Sequence, residues 1–349
     1  MTKRPLLTVC IPAYNRASLL PPLLDSIFSQ DFEDFELLIC EDGSPERAAI
    51  ARVAKQYKET HPTRLRYEEN AKNLGYDGNL RQLVDLSSGR YCVFMGNDDL
   101  LCPGALQAIA ATVLRQPECG VVVRSYASFD TDPGHVKQVF RYFPHELALT
   151  AGTDAIATAY RRSVVISGMV IDRDAAKEVA TDRFDGTLLY QLYLVGLILA
   201  RRSVVFLPQV LAFRRDGTPP DFGNSDAERG KFVPKDQTPD SSLHFMRGML
   251  DIAQHVESRS GLPVFASIRR DIGNYSYPIL AIQAHRPLPV FVGYGIELAK
   301  MGFWRYPLFH AYFLALLLIG PDRTGRLIGW MKKRLGHTPR FGAARRGPP

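Results

Sequence analysis

The chain has 349 residues and a formal net charge of +7, and this charge is concentrated at its end. From Arg323 onward there are eight Lys or Arg and no acid, so the remainder of the chain is close to neutral. A general nucleic-acid-binding surface is therefore not expected. The five cysteines lack metal-ligand spacing, and no apolar run reaches the ~18 residues of a membrane-spanning helix.

The first half of the chain alternates apolar runs with segments of helical apolar spacing. This alternation predicts an α/β fold with a doubly wound, mostly parallel, Rossmann-like sheet. The predicted strands are 6–11, 35–40, 65–68, 91–95 and 121–128, and the predicted helices between them are 18–28, 46–60, 77–86 and one opened by Pro103 and Gly104.

Polar loops follow four of these elements, at Asn15, at Asp42, at 73–75 and at Asp98 with Asp99. The carboxyl ends of parallel strands share one edge of a sheet, where α/β proteins bind their ligands. We therefore expect the four loops to converge on one ligand site.

Asp98 and Asp99 are adjacent carboxylates directly after an apolar strand pattern. Neighbouring acids repel, so a cation that neutralises them favours such a pair, and Mg²⁺ or Mn²⁺ prefers oxygen ligands shared with a substrate phosphate. The alternative is a polar turn that leads into the helix beginning near Gly104.

Together these elements resemble the inverting family 2 glycosyltransferases, which have the GT-A fold, and among them the abequosyltransferase-like enzymes of O-antigen assembly. The resemblance is strong over residues 5–130 and weaker beyond. It depends on four elements in the family's order: Pro12-Ala13-Tyr14-Asn15, Glu41-Asp42-Gly43-Ser44, Asn73-Leu74-Gly75 with Asn79, and Asn97-Asp98-Asp99.

The resemblance implies roles for individual residues toward a nucleotide-sugar donor. Asp42 would hydrogen-bond the base, and Asp98 and Asp99 would meet the ribose and the metal, with Asp99 favoured as metal ligand. The family's first metal-motif acid would stand at Gly96 and is absent here. The residues implied in nucleotide-sugar binding are Pro12, Ala13, Tyr14, Asn15, Asp42, Asn73, Gly75, Asn97 and Asp98.

An inverting transfer also needs a general base that deprotonates the acceptor hydroxyl. The resemblance places it on a helix start after the acceptor-side strand, here predicted at 164–171, which makes Asp185 the candidate and Asp182 the alternate. Acids are favoured at helix N-termini for dipole reasons alone, so a structural role is also open. Arg214 and Arg215 are predicted either to approach the diphosphate or to lie in a solvated loop.

The predicted organisation has a catalytic domain at 1–215, with nucleotide-sugar binding at 1–130 and the acceptor side at 131–215. A flexible loop or lid is predicted at 216–241, a helical extension at 242–335 and a basic disordered tail at 336–349. The extension's predicted helices are 242–259, 264–285 and 288–301.

Segment 303–346 combines aromatic, apolar and basic residues, which favours contact with an anionic membrane surface. The alternative is a helical cap on the catalytic domain. Because the first predicted strand begins within ten residues of the N-terminus, no signal peptide is expected. The predicted location is the cytoplasm, peripheral to the inner face of the cell membrane.

The leading hypothesis is a hexosyl- or deoxyhexosyltransferase that uses Mg²⁺ or Mn²⁺. It would move a sugar from a nucleotide-diphospho-sugar to a surface polysaccharide or polyprenyl-linked glycan. A nucleotidyltransferase that makes a nucleotide sugar is the first alternative, although residues 12–16 lack its Gly-rich loop. A non-catalytic scaffold is the second alternative, supported by the missing acid at Gly96.

Overall fold

A mixed ten-stranded sheet lies at the centre of the computed structural model, which describes residues 4–335. Strands β1 to β4 pair in parallel, and β9 is antiparallel to β4 and β6. The strand order is β3-β2-β1-β4-β9-β6-β10-β5, with β7 beside β6 and β8 beside β10. The strands are β1 (Leu7–Ala13), β2 (Phe35–Glu41), β3 (Leu65–Glu69), β4 (Tyr91–Phe94), β5 (Leu100–Leu101), β6 (Cys119–Phe129), β7 (Gln138–Phe140), β8 (Leu147–Leu149), β9 (Met169–Asp172) and β10 (Ser203–Arg215).

Helices cover both faces of this sheet, which confirms the predicted α/β class. One core cluster joins a sheet face to α1, α2 and α4, and the other joins the opposite face to α3, α5 and α7 to α12. All five cysteines are buried and free. The helices are α1 (Leu20–Phe28), α2 (Arg47–Thr60), α3 (Gly75–Leu86), α4 (Ala105–Arg115), α5 (Thr153–Ala159), α6 (Arg173–Glu178), α7 (Tyr190–Ile198), α8 (Pro239–Ser260), α9 (Phe265–Asn274), α10 (Tyr277–Ala281), α11 (Leu288–Lys300), α12 (Pro307–Ile319) and α13 (Pro321–Leu335).

Two predicted elements differ from the structure. The strand predicted at 164–171 begins only at Met169, because Gly168 adopts a left-handed conformation (φ +77°) that ends regular pairing. The helix predicted at 264–285 is divided into α9 and α10. Pro278 explains the division, because it has no N–H for the carbonyl of Asn274 and its ring would clash with that carbonyl in a continuous helix.

The helical extension packs on the sheet domain through close helix contacts at glycines. A Cβ on Gly196 of α7 would lie 2.5 Å from Val256 of α8, and one on Gly273 of α9 would lie 2.2 Å from the ring of Tyr306. The first contact joins α8 to α7 of the sheet domain, whereas the second lies within the extension, where α12 packs on α9 and α10. Within residues 4–335, no helix is both long and apolar enough to cross a membrane. The predicted tail at 336–349 lies outside the described residues.

Candidate functional site

A pocket of about 210 Å³ lies beyond the carboxyl ends of β1, β2 and β4, where the topology brings the polar loops together. It contains residues from all four predicted loops, together with residues from the segment predicted as the acceptor-side strand and from the predicted loop or lid. Its lining residues are Pro12, Tyr14, Arg16, Asp42, Asn73, Gly75, Tyr76, Asn79, Gly96, Asn97, Asp98, Asp99, Val165, Ile166, Ser167, Asp221, Phe222, Asn224 and Glu228.

Two predicted binding residues occupy positions beside this pocket. Ala13 packs in the hydrophobic core under β1. The amide nitrogen of Asn15 donates a hydrogen bond to Asp221 (2.5 Å), and its backbone carbonyl accepts one from Asn97 (3.0 Å). Asn97 therefore ties the loop after β4 to the loop after β1.

Asp42 lies at the bottom of the pocket with 3% of its surface exposed. Its Oδ1 accepts hydrogen bonds from Asn70 (2.7 Å) and from the backbone N–H of Leu74 (2.9 Å). Burial raises the pKa of Asp42 to about 6. The hydrogen bonds favour the charged form and so lower the pKa, but burial has the larger effect. The carboxylate is thus held in a fixed orientation at the pocket.

Asp99 is the more buried member of the acidic pair, at 5% exposure. Ser167 donates a hydrogen bond to its Oδ2, and the backbone N–H of Arg215 donates one to its Oδ1 (2.8 Å). Burial, together with repulsion from Asp98, raises the pKa of Asp99 to about 7. Asp98 forms an ion pair with Arg16 (2.9 Å), so the two acids have different partners.

The structure explains why position 96 is a glycine. A Cβ there would lie 2.9 Å from Oδ2 of Asp99 and 3.2 Å from the hydroxyl oxygen of Ser167. The Ser167 hydroxyl also accepts a hydrogen bond from the Gly96 N–H (3.0 Å). The space of the absent acid is therefore occupied by Ser167, and no side chain fits at position 96 without displacing it.

The loop that carries Ser167 is held by a buried arginine from β6. Arg124 donates hydrogen bonds to the backbone carbonyl of Ser167 and to that of Val165 (3.0 Å), and its own surface is fully buried. This role could not be predicted, because a lone arginine in an apolar strand pattern has no recognisable spacing.

The acidic pair fits a divalent cation as a partial ligand set. Two carboxylates supply hard oxygen donors, and each carboxylate oxygen can accept a further contact beyond its present hydrogen bond. No group of three His, Cys, Asp or Glu capable of holding a metal occurs among the described residues. A cation here would consequently need oxygen ligands from a bound diphosphate or water.

Asp77 organises the neighbouring loop from the first turn of α3. It is 1% exposed and accepts hydrogen bonds from four backbone N–H groups at 2.8 to 3.0 Å. The donors are those of Gly186, Thr187, Leu188 and Tyr190. In sequence Asp77 is indistinguishable from an ordinary helix N-terminal acid, so its role could not be predicted.

The two candidate bases lie in the same loop but do not line the pocket. Both carboxylate oxygens of Asp185 are bound by the guanidinium of Arg81, at 2.6 and 2.7 Å. Asp182 is exposed, and its carbonyl accepts a hydrogen bond from the N–H of Asp185 (3.0 Å). In this structure Asp185 is a partner in a bidentate ion pair.

Of the two arginines at the end of β10, Arg215 is the nearer to the acidic pair. Besides its N–H contact to Asp99, its Nε donates to the backbone carbonyl of Asp98 (3.1 Å). Arg214 forms an ion pair with Asp216 instead.

Segment 219–228 covers one side of the pocket and is fixed to it by Glu228. One Glu228 oxygen accepts from the N–H of Tyr76 (2.7 Å), and the other accepts from the N–H of Gly223 (2.9 Å). Close approach to α3 needs Gly75, since a Cβ there would lie 2.5 Å from the Ser225 hydroxyl oxygen. The ring of Phe222 also packs edge-on against Tyr76.

A carboxylate-lined pocket at the switch point of the strand order defines this chain as an α/β protein with a ligand pocket at the carboxyl edge of its sheet. Residues 8–171 match the family model described as Glycosyl transferase family 2. This segment, just under half of the chain, is a glycosyltransferase family 2 domain.

Two curated relatives match just under a third of the chain. Abequosyltransferase RfbV of Salmonella typhimurium is 33% identical over 109 residues, which cover 31% of this chain and 32% of that protein. GalNAc(5)-diNAcBac-PP-undecaprenol beta-1,3-glucosyltransferase of Campylobacter jejuni is 33% identical over 109 residues, which cover 30% of this chain and 33% of that protein. The chain thus spans about a third of the length of each relative.

Solved structures resemble the chain over nearly its whole length. TarS 1-349 of S. aureus, in complex with UDP-GlcNAc, has a TM-score of 0.58 at 15% identity and covers 96% of this chain and 93% of its own. Mannosyltransferase PcManGT of Pyrobaculum calidifontis, in complex with GDP-Man and Mn²⁺, has a TM-score of 0.52 at 17% identity. The match covers 91% of this chain and 88% of that protein. These likenesses establish the GT-A fold predicted from sequence.

Proposed function

We propose that this protein is an inverting, metal-dependent glycosyltransferase. It transfers a sugar from a nucleotide-diphospho-sugar to a surface polysaccharide or to a lipid-linked glycan. The observation that carries the proposal is the convergence of Pro12, Asp42, Asn73, Asp98 and Asp99 on one pocket at the carboxyl edge of the sheet. These are the positions to which the family resemblance assigns donor contacts.

In this proposal Asp42 orients the base and the acidic pair meets the diphosphate. Asp99, with help from Asp98, holds Mg²⁺ or Mn²⁺, which when bound stabilises the charge that develops on the departing nucleotide diphosphate. Arg16 now neutralises Asp98 (2.9 Å) and lies at the pocket wall. On donor binding it is free to contact phosphate oxygens instead, since a guanidinium pairs equally well with either anion.

Segment 219–228 acts as a lid on the donor. The pocket of about 210 Å³ is smaller than the roughly 300–1,000 Å³ of typical ligand sites, and a nucleotide sugar is a large ligand. The Asn15–Asp221 and Glu228–Tyr76 hydrogen bonds must therefore open for entry. Gly217 and Gly230 flank the segment with left-handed backbone conformations (φ +82° and +77°), which suits them as hinges.

The general base is assigned to Asp185, with Asp182 as the alternate. Both carboxylate oxygens of Asp185 are occupied by the guanidinium of Arg81, so Asp185 must be released from this ion pair when the acceptor binds. Asp185 lies close to α3, whose first turn lines the donor pocket: a Cβ on Gly78 would be 3.9 Å from its carboxylate. A short rearrangement would therefore suffice.

The acceptor side is proposed to work at an anionic membrane surface. Exposed apolar residues recur at helical spacing on α12 and α13, where two arginines accompany them. We name this set the α12–α13 stripe: Leu314, Leu318, Arg323, Arg326, Leu327 and Trp330. Apolar side chains and a tryptophan beside arginines suit the headgroup region of a bilayer. Such a surface would bring a polyprenyl-linked acceptor to the enzyme at the cytoplasmic face.

The deciding experiment is the shift in melting temperature with UDP, GDP, dTDP and CMP, each with Mn²⁺ and with chelator. A ligand that binds only the folded state raises the melting temperature. We expect a shift with one nucleotide that needs metal and is absent in Asp99→Asn. A folded protein that responds to none of them would contradict the proposal and favour a non-catalytic scaffold.

A further inference from the structure

We propose that a second cavity, between the loop before α7 and the C-terminal end of α8, binds the phosphate or diphosphate group of an ester. Its volume is about 290 Å³, and it lies outside the pocket described above. Two arginines and a histidine line it, Arg183, Arg259 and His255, together with Glu178 and Tyr193. We name it the basic cavity.

The arginines of the basic cavity lack an ion-pair partner. Over the described residues, no carboxylate oxygen lies within the 4.0 Å ion-pair distance of Arg183 or Arg259. By contrast, Arg81, which lies in the same region, forms an ion pair with Asp185. Glu178 stands at the rim but bonds neither arginine.

The three groups are close enough to repel one another. Burial lowers the pKa of His255, and the positive charges of Arg183 and Arg259 lower it further. Gathering like charges costs free energy unless an anion offsets it. The cavity is thus set up for a negative ligand.

Aromatic packing holds His255 in place before any ligand binds. The ring of Phe184 lies 5.2 Å from that of His255 and 5.5 Å from that of Tyr193. The hydroxyl of Tyr193 donates to the carbonyl of Val179, which fixes the cavity wall. His255 and Arg259 are four residues apart on α8 and so share one helix face.

The nitrogen hydrogen-bond donors of the basic cavity favour a phosphate ligand. Two guanidinium groups offer forked N–H donors that match phosphate oxygens, and His255 adds a third nitrogen. At about 290 Å³ the cavity has room for several times the roughly 30 Å³ share of one water, which suits a diphosphate better than a single carboxylate.

One source of such a group is the diphosphate of a polyprenyl-linked acceptor, an identification that rests on the proposed function. Arg183 lies two residues before Asp185, and Asp77 on α3 binds the N–H of Gly186 directly after it (2.9 Å). The loop that would carry the base therefore also borders the basic cavity. A phospholipid headgroup is the other source of the same chemistry.

The test compares the full chain with the double variant Arg183→Gln/Arg259→Gln. Binding of inorganic pyrophosphate and of farnesyl diphosphate is measured by calorimetry in chelator, which suppresses metal-dependent binding at the donor pocket. We expect the double variant to weaken both by tenfold or more. Arg52→Gln, an exposed arginine on α2, is the matched control and should bind as the parent does.

Vesicles of phosphatidylglycerol distinguish the two sources. Weaker farnesyl diphosphate binding with unchanged vesicle binding assigns the cavity to the acceptor diphosphate, and lost vesicle binding assigns it to a headgroup. Pyrophosphate binding that is undetectable in the parent, or equal in parent and double variant, overturns the inference. Nucleotide-dependent stabilisation, measured on the same samples, reports separately on the proposed function.

Discussion

The hydroxyl of Ser167 donates to the carboxylate of Asp99 and accepts from the N–H of Gly96, so a residue far along the chain completes the acidic turn after β4. This contact explains why the position of the family's first acid is a glycine. It also shows that the loop before β9 and the loop after β4 form one unit.

Gly96→Ala should therefore damage the site although it adds only a methyl group. A Cβ 2.9 Å from Oδ2 of Asp99 forces a shift of the carboxylate or of Ser167. We expect a loss of about 1–3 kcal/mol in the free energy of unfolding and roughly tenfold weaker metal-dependent nucleotide binding, or ~1.4 kcal/mol. Chemical denaturation and calorimetry measure these quantities. Gly293→Ala, in open space inside α11, should leave nucleotide binding unchanged and raise the free energy of unfolding by about 0.5–1 kcal/mol. Equal behaviour of the two variants would contradict the steric account.

Asp99 should make the metal-free protein less stable as the pH rises. Its pKa is raised from 3.8 to about 7, so the folded state binds a proton that the unfolded state has released. Below about pH 4 Asp99 makes its full stabilising contribution to the free energy of unfolding, and this contribution is lost as the pH rises through about 7. Asp99→Asn should flatten this slope in urea unfolding with chelator, while exposed Asp85→Asn should keep it. An unchanged slope in Asp99→Asn would exclude the raised pKa.

Asp77→Ala should be among the most destabilising single changes in this chain. It leaves three backbone N–H groups without an acceptor, those of Gly186, Leu188 and Tyr190, while the N–H of Thr187 keeps its bond to the carbonyl of Phe184. Each buried unsatisfied donor costs about 1–3 kcal/mol. We expect a loss of at least about 3 kcal/mol in the free energy of unfolding, measured by urea denaturation. Asp85→Ala, which removes only a surface ion pair with Lys177, should cost under about 1 kcal/mol. A similar small cost for Asp77→Ala would show that the loop rearranges freely.

Asp185→Asn should stop sugar transfer and leave nucleotide-dependent stabilisation unchanged. The amide keeps the shape of the carboxylate but cannot accept a proton, so kcat should fall and KM for the donor should not. Arg81→Met tests the alternative, since it breaks the same ion pair and spares the carboxylate. If both variants lose activity equally, Asp185 is a positioning residue. Loss in Asp182→Asn alone would move the base to that residue.

The α12–α13 stripe should determine binding to anionic vesicles. Leu318 is 77% exposed and Trp330 54% exposed, so changing them leaves the core intact. We expect Leu318→Gln/Trp330→Ser to reduce co-sedimentation with phosphatidylglycerol vesicles severalfold, because burial of each large apolar side chain contributes about 1.5–3 kcal/mol. Leu114→Gln, at 64% exposure on α4, is the matched control. Equal losses in both variants would indicate nonspecific binding of vesicles by exposed apolar residues. No loss would refute a membrane role for the stripe.

The sequence alone determined the sheet and one side of the pocket. Apolar runs followed by Asn15, Asp42 and Asp98 are local patterns, and the topology of parallel strands places their carboxyl ends together. Helix and strand periodicity depends only on near neighbours in the chain, which is why it could be recognised without coordinates.

Only the tertiary structure decided which groups those residues meet. Ser167 reaches Asp99 across 68 positions, Arg81 reaches Asp185 across 104, and Glu228 reaches the N–H of Tyr76 across 152. Such contacts leave no periodic signal, because they depend on how packed elements bring distant loops together. For the same reason the basic cavity, formed between a loop and the end of a helix, became visible only in the folded chain.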